Sequence, residues 1–337
     1  MKKRISLLLA CLMIIASCAA ASAQGDVFIR IDRDDPEAWQ RPLDNVRFLD
    51  DEHMSGSAQF SAAQFETLAE QLRTHADGRE VWIVDCRLES HGLINGIAVS
   101  WCDDENAANR GKTAAEVEAD EAALSALIGT EVTAWTAVSD RPDIPVQMTV
   151  ETWQTERDLV EAAGFRYLRL ACPDHGWPPA EVIDDFLAFA DGLGEDAWLH
   201  FHCQAGSGRT GAFMTILEML QKPDVPLEEI LQHQADTGSG NLVTPSAPEK
   251  THAQKSRYVM VRAFHRYLTE EREGTWSEWL LAHSETVTMR VGERLNTPCV
   301  TSDALVVDEN GTALAAGMAT VLTDGKLLVI EVQGDAD

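Results

Sequence analysis

Short apolar runs alternate with stretches of helical period along most of this chain. Ser61-Ala62-Ala63-Gln64 reads as a capping box, and Phe65, Leu68, Ala69 and Leu72 repeat behind it at helical spacing. Val81-Trp82-Ile83-Val84 is a continuous apolar run of the kind found in covered parallel strands. The pattern predicts an acidic helix from Thr113 to Leu127, with Val117, Leu124 and Leu127 inward and the charged side solvated. A helix from Glu156 to Ala163 stops at Gly164, and Phe165 to Leu170 reads as the next strand. Pro179 to Leu193 carries Val182, Ile183, Phe186, Leu187 and Ala190 on one helical face and is ended by Gly192 and Gly194. Ala197 to Phe201 is again a buried strand, and Ala212 to Leu220 an apolar helix. Helices follow from Leu227 to Ala235 and from about Lys250 to Glu273, then an aromatic segment from Trp276 to His283. Strands and helices in this alternation predict an α/β fold.

Two stretches depart from that rhythm. From Glu131 to Trp153 short alternating pieces, with Pro142 and Pro145, read as small β structure inserted in the larger fold. After Glu285 the pattern alternates over Thr286 to Val291, and Asn310-Gly311 and Asp324-Gly325 sit between apolar runs as hairpin turns. The expected organisation is a main domain over 26–283, with inserted β structure at about 26–48 and 93–155, and a β extension over 284–337. Some fifty residues of hairpins barely form a core alone, so the extension is expected to dock on the main domain or on a second subunit.

The first residues change the picture of where the chain works. Lys2-Lys3-Arg4, an apolar run to Ile15 and Ala21-Ser22-Ala23 read as a secretory signal over 1–23, so the protein is expected to be exported, periplasmic or secreted. Ile15-Ala16-Ser17-Cys18 offers the competing reading of a bacterial lipoprotein box, with a lipid anchor at Cys18. No later apolar run is long enough to span a bilayer. Removing Lys2, Lys3 and Arg4 takes the formal charge from −28 to −31, which argues against nucleic acid as a partner. Cys86, Cys102, Cys172, Cys203 and Cys299 remain, an odd number in a long chain and not a disulfide framework. No Cys/His spacing looks like a zinc site, and no metal or cofactor is expected. Oligomeric state is not legible.

The densest chemistry lies at His202-Cys203-Gln204-Ala205-Gly206-Ser207-Gly208-Arg209-Thr210-Gly211, between a predicted strand and helix. Such a loop aims several backbone N–H groups and a helix N-terminus at one point, where an anion is held. Cys203 opens the loop within the same positive field, which favours its thiolate. Arg209 can fold back to hold two phosphate oxygens with its planar fork. A thiolate beneath a bound phosphate is placed for in-line attack on phosphorus, and Thr210 can hydrogen-bond the sulfur. His202 reads as a residue that orients the loop. Two strand ends add charge nearby in the pattern: Asp85 to Gly92, read either as ligand-binding or as a local ion-pair network, and Cys172 to Pro179, with Asp174 near its start.

These residues carry a resemblance. The chain is similar to the protein-tyrosine-phosphatase-like inositol polyphosphate phosphatases, the cysteine phytases. The likeness runs from Met54–Ser61 through Asp85–Gly92, Asn95–Trp101, Asp174–Pro178, Trp198–Thr210 and Phe264–Tyr267 to Trp276–Leu280. It implies a phosphatase α/β core with a central, mostly parallel sheet and a small inserted partial β-barrel. It also implies stepwise removal of phosphates from inositol phosphates without a metal, through a phosphocysteine. Cys203 is then the nucleophile, Arg209 the phosphate clamp and Asp174 the general acid. Gln204, Ala205, Gly206, Ser207, Gly208 and Thr210 surround the phosphate, with His175 a further substrate contact. The resemblance places basic substrate contacts at Arg47, Lys250 and Arg257, the last two seven residues apart on one predicted helix face. Three positions depart from the family pattern: Gln204 where glutamate is usual, Ser139-Asp140-Arg141 in place of a lysine-rich stretch, and Asn106 in place of an aspartate. A phosphotyrosine phosphatase and a catalytically silent phosphate-binding module remain as alternative readings of the same loop.

Overall fold

The computed structural model describes residues 27–32, 41–103, 106–136, 144–194, 196–243, 252–270, 274–295, 299–301, 306–308, 310–323 and 326–334. The export segment with Cys18, residues 139–141, Lys250 and the Asp324-Gly325 turn lie outside them. The strands before residue 160 are β1 (Phe28–Ile31), β2 (Arg47–Leu49), β3 (Met54–Ser57), β4 (Glu80–Asp85), β5 (Ser90–Ile94), β6 (Ile97–Cys102), β7 (Glu131–Thr136), β8 (Ile144–Thr149) and β9 (Trp153–Gln154). Helices α1 (Ala62–Ala76), α2 (Ala114–Ala123) and α3 (Glu156–Ala162) lie among them. Then come β10 (Arg166–Arg169), α4 (Ala180–Gly192), β11 (Ala197–His202), α5 (Gly208–Gln221), α6 (Leu227–Asp236), α7 (His252–Thr269) and α8 (Trp276–Ala282). The chain closes with β12 (Glu285–Arg290), β13 (Val300–Thr301), β14 (Gly317–Thr323) and β15 (Lys326–Gln333). Two compact units emerge, one of residues 1–174 with 194–210 and one of 175–193 with 211–337.

In the first unit a five-stranded sheet runs in the order β10-β4-β11-β3-β2, with every pair parallel except β2 and β3. Its middle strand β11 is apolar because it is covered, and Trp198 and Phe201 are fully buried. Helix α1 starts where expected: Ser61 Oγ accepts from Gln64 N at 3.2 Å, and Gln64 Oε1 accepts from Ser61 N at 3.0 Å. It ends at Asp77 in the left-handed region, and its Phe65, Leu68, Ala69 and Leu72 pack with Val81, Ile83 and Trp198. The other sheet of this unit is a partial barrel with the order β8-β7-β1-β6-β5-β9, cored by Ile31, Ile94, Val99, Ala134 and Val150. Pro145 is tolerated because β8 is an edge strand. Arg47–Leu49 pairs within the five-stranded sheet, so this part of the chain does not join the barrel.

One expectation is corrected here. The acidic helix α2 ends at Ala123 and tightens into a 3-10 turn over Leu124–Leu127, and its Glu121 is not solvated. Glu121 is buried and takes hydrogen bonds from Arg169 at 2.7 Å and from the His91 backbone N–H at 2.8 Å. A buried carboxylate with an arginine partner is invisible to periodicity, because the partner comes from a strand some fifty residues on.

In the second unit α4 turns Phe186 edge-on to Phe213 of α5, at 5.4 Å between ring centroids. Asp184 of α4 accepts from the first backbone N–H groups of α8, Trp276 at 2.8 Å and Ser277 at 3.2 Å. The closing sheet has the order β12-β15-β14-β13. Asn310-Gly311 turns between the bridged residues Val307 and Ala313, and β14 pairs antiparallel with β15. β12 pairs parallel with β15, a pairing that two successive hairpins did not predict. Met289, Val307, Val321, Ile330 and Val332 form a core of its own, and β13 lies against α7 within the same unit. No described helix is long and apolar enough to cross a membrane.

Candidate active site

The loop after β11 is built as the peptide geometry requires for anion binding. Three of its carbonyl groups are each taken by a donor outside the loop. Gln204 O accepts from Gln59 N at 3.0 Å, Ala205 O from Asn45 Nδ2 at 2.6 Å and Gly206 O from Arg47 Nη1 at 2.8 Å. Among the described residues there are no cis peptide bonds, and in a trans peptide the following N–H points opposite to the carbonyl. The N–H groups of Ala205, Gly206 and Ser207 therefore point away from those three partners. Among the described residues the N–H groups of 204–207 make no hydrogen bond. A row of unpaired donors on one side of a loop, running into the N-terminus of α5, can cradle an anion. Cys203, at the head of the loop, is buried.

Gly206 is fixed by sterics. Its φ is +71°, and an added Cβ would lie 2.5 Å from the backbone atoms Ala58 N and Ser57 C. Neither neighbour is a side chain that can swing away. Gly206→Ala is expected to lower unfolding free energy by about 2–4 kcal/mol, from left-handed strain plus overpacking. It should also abolish the binding of inorganic phosphate. Chemical denaturation and phosphate titration check this, and a variant that keeps both properties counts against the cradle.

Arg209 is buried and held on several sides. Nη1 and Nη2 grip the two oxygens of Glu89 at 2.5 and 2.9 Å, and Nη1 also donates to Cys172 O at 3.1 Å. Nε lies 3.3 Å from Asp174 Oδ1. Burial opposes the charge of Arg209, but Asp174 and Glu89 outweigh it and hold the guanidinium more firmly protonated than usual. Asp174 receives a second contact, Asn106 Nδ2 to its Oδ2 at 3.0 Å. The structure thus brings Cys203, Arg209 and Asp174 into one unit, with Arg209 joining the loop to the carboxylate.

Neither Glu89 nor Asn106 stood among the expected site residues. The signal for Glu89 was its place in the charged run at the end of β4, where a strand end meets the crevice. That run is an ion-pair network: Arg87 donates to Asp32 at 3.0 Å, Gln59 at 2.8 Å and Ser100 at 2.5 Å. Behind the loop, His202 Nε2 lies 2.7 Å from Glu156 Oε1, and His91 Nε2 lies 3.3 Å from both Asp85 and Glu156. His202, at the end of the strand preceding Cys203, thereby lies against α3. The expected bond from Thr210 to the sulfur is not formed. Thr210 Oγ1 is buried without a partner, because Thr210 lies in the first turn of α5 rather than in the loop.

The basic positions separate. Arg47 is buried, donates to Asn45 O at 3.1 Å as well as to Gly206 O, and serves as a prop of the loop. Burial brings its pKa down to about 10, against the pull of Cys203. In the second unit Arg257 is half-buried and donates from Nε to Gly176 O at 2.8 Å. His175, also there, is half-buried at a φ of +69°.

Known proteins resemble this chain. The family model for PTP-like phytases, described as inositol hexakisphosphate, matches residues 84–221. The structure of the tandemly repeated PTP-like phytase from Mitsuokella multacida is 32% identical, with a TM-score of 0.69 over 77% of this chain and 49% of that one. A PTP-like myo-inositol phosphatase from the same organism, in complex with myo-inositol-(1,3,4,5)-tetrakisphosphate, is 31% identical with a TM-score of 0.68, covering 77% and 50%. A PTP-like phytase from Bdellovibrio bacteriovorus is 29% identical with a TM-score of 0.63, covering 77% and 97%. The effector protein hopD2 of Pseudomonas syringae pv. tomato is 24% identical over 247 residues, 68% of this chain and 52% of that protein. The chain thus spans about half the length of hopD2 and of the Mitsuokella structures.

Proposed function

We propose, from the resemblance to PTP-like phytases that this chain shows in sequence and in fold, that it removes phosphates from inositol polyphosphates through a phosphocysteine, without a metal. The observation that carries this reading is the cradle of unpaired loop N–H groups at Cys203, with Arg209 linking it to Asp174. Substrate phosphate lies on the N–H groups of Gln204, Ala205, Gly206, Ser207 and Gly208 and on Arg209, which together supply the charge stabilisation. Cys203 sulfur attacks phosphorus, the bond to the alkoxide oxygen breaks, and Asp174 gives that oxygen its proton. Water then attacks the phosphocysteine, Asp174 takes back a proton, and the thiolate leaves. Thr210, at the start of α5, and His175 stand as further contacts, and Arg47, Lys250 and Arg257 as a basic rim for the phosphates that are not being cleaved. The lysine-led apolar segment over 1–23 supports export as the setting of this activity.

The test is phosphate release from phytate and from a phosphotyrosine peptide, side by side, with a chelator present. Turnover of phytate unaffected by the chelator is expected. Turnover of the peptide alone would move the chain to the tyrosine phosphatases, and turnover of neither would leave a phosphate-binding module.

A further inference from the structure

Asp174 must carry a proton when it meets the leaving oxygen, yet its two contacts given above favour the bare carboxylate. Asn106 donates an N–H to Oδ2 at 3.0 Å, and the Arg209 guanidinium stands 3.3 Å from Oδ1. The other half of the Asn106 amide is idle: Asn106 Oδ1 is buried and has no hydrogen-bond partner. The residue is itself buried, with a φ of +55°, and its turn is closed by Asp103, whose carbonyl accepts from Asn106 N at 3.2 Å and whose carboxylate accepts from Ala107 N at 2.7 Å. An amide offers a donor and an acceptor at nearly the same reach, exchanged by a half turn of its terminal bond.

We propose that Asn106 is a positioning residue for the general acid, holding Asp174 through Nδ2 when it is ionised and through Oδ1 when it is protonated. The proposal rests on the general-acid reading of Asp174 given above. A buried polar oxygen without a partner is costly, and a protonated Asp174 would satisfy it. Substrate phosphate shares the charge of Arg209, which loosens the second hold on the carboxylate and favours its protonation. After Asp174 has given its proton to the alkoxide, the amide turns back and steadies the anion for the hydrolytic step. Among the described residues, the charged groups around this pair include Arg209 with its partners Glu89 and Cys203, and Asp103 in the turn of Asn106. An aspartate at position 106 would be a like charge against Asp174, where the amide is neutral.

The experiment compares Asn106→Asp, Asn106→Leu and Asp174→Asn on phytate and on para-nitrophenyl phosphate, whose leaving group departs without a proton. Asn106→Asp, nearly isosteric, should move the basic limb of the phytate kcat profile upward by about one pH unit, through like-charge repulsion. Asn106→Leu should lower phytate kcat about tenfold with KM within about twofold, while the aryl ester changes less. An unmoved profile in Asn106→Asp beside a strongly slowed Asp174→Asn overturns the role of Asn106 alone. An unimpaired Asp174→Asn overturns the general-acid reading, and this inference falls with it.

Discussion

Cys203→Ser is expected to lower phytate turnover by at least about 10⁴-fold while leaving binding of a phosphate ester within a few-fold. The substitution exchanges one atom, so the loop conformation, set by Gln59, Asn45 and Arg47 on its carbonyl groups, is untouched. What is lost is the nucleophile. Sulfur is the stronger nucleophile, while a hydroxyl in its place needs a base to take its proton. On the proposed reading substrate binding draws on loop N–H groups and Arg209, neither of which depends on the sulfur. Single-turnover kinetics together with calorimetric titration would read both halves. More than about one per cent residual turnover would falsify the assignment of Cys203 as nucleophile.

Glu89→Leu is expected to cost about 3–5 kcal/mol of stability, the usual result of stripping one partner from a buried ion pair. Both Glu89 and Arg209 are almost entirely inaccessible, and Glu89 also sits 3.4 Å from Arg87. Leucine keeps most of the volume, so the loss comes from two arginines left short of negative charge rather than from a cavity. The effect has a defined pH dependence. Burial opposes ionisation of Glu89, but Arg209 and then Arg87 outweigh it and hold its pKa well below the ordinary 4.5. A carboxyl depressed in the folded state contributes stability that is present above its unfolded value and is lost as pH falls through the folded one. The gap between wild type and variant should therefore be full at neutral pH and begin to close below about pH 4.5. Urea denaturation at several pH values measures it, together with weaker phosphate binding as Arg209 loses its anchor. A gap under about 1 kcal/mol, the size of an exposed pair, or one that does not vary with pH, would show that the pair holds nothing in place.

Local chemistry made much of this protein legible before any fold was seen. The capping box at Ser61 and Gln64, the covered strands β4 and β11, and the glycine-rich turn between β11 and α5 depend on neighbours within a few residues. Periodicity and cap chemistry report such neighbours directly. Gly206 stood out as a glycine, but the backbone of Ser57 and Ala58 that forbids any other residue there belongs to the β3 end of the sheet. The long-range partners were decided by tertiary structure. Glu89 meets Arg209 across 120 residues, Asn106 meets Asp174 across 68, and Arg47 reaches Gly206 across 159. Glu121 looked like one more charge on a solvated helix until β10 delivered Arg169 to it. The parallel pairing of β12 with β15 was hidden for the same reason, since nothing in an alternating pattern tells which strand lies beside it. A residue type and its local spacing settle what a side chain can do, while burial and a partner brought from far along the chain settle which of those things it does.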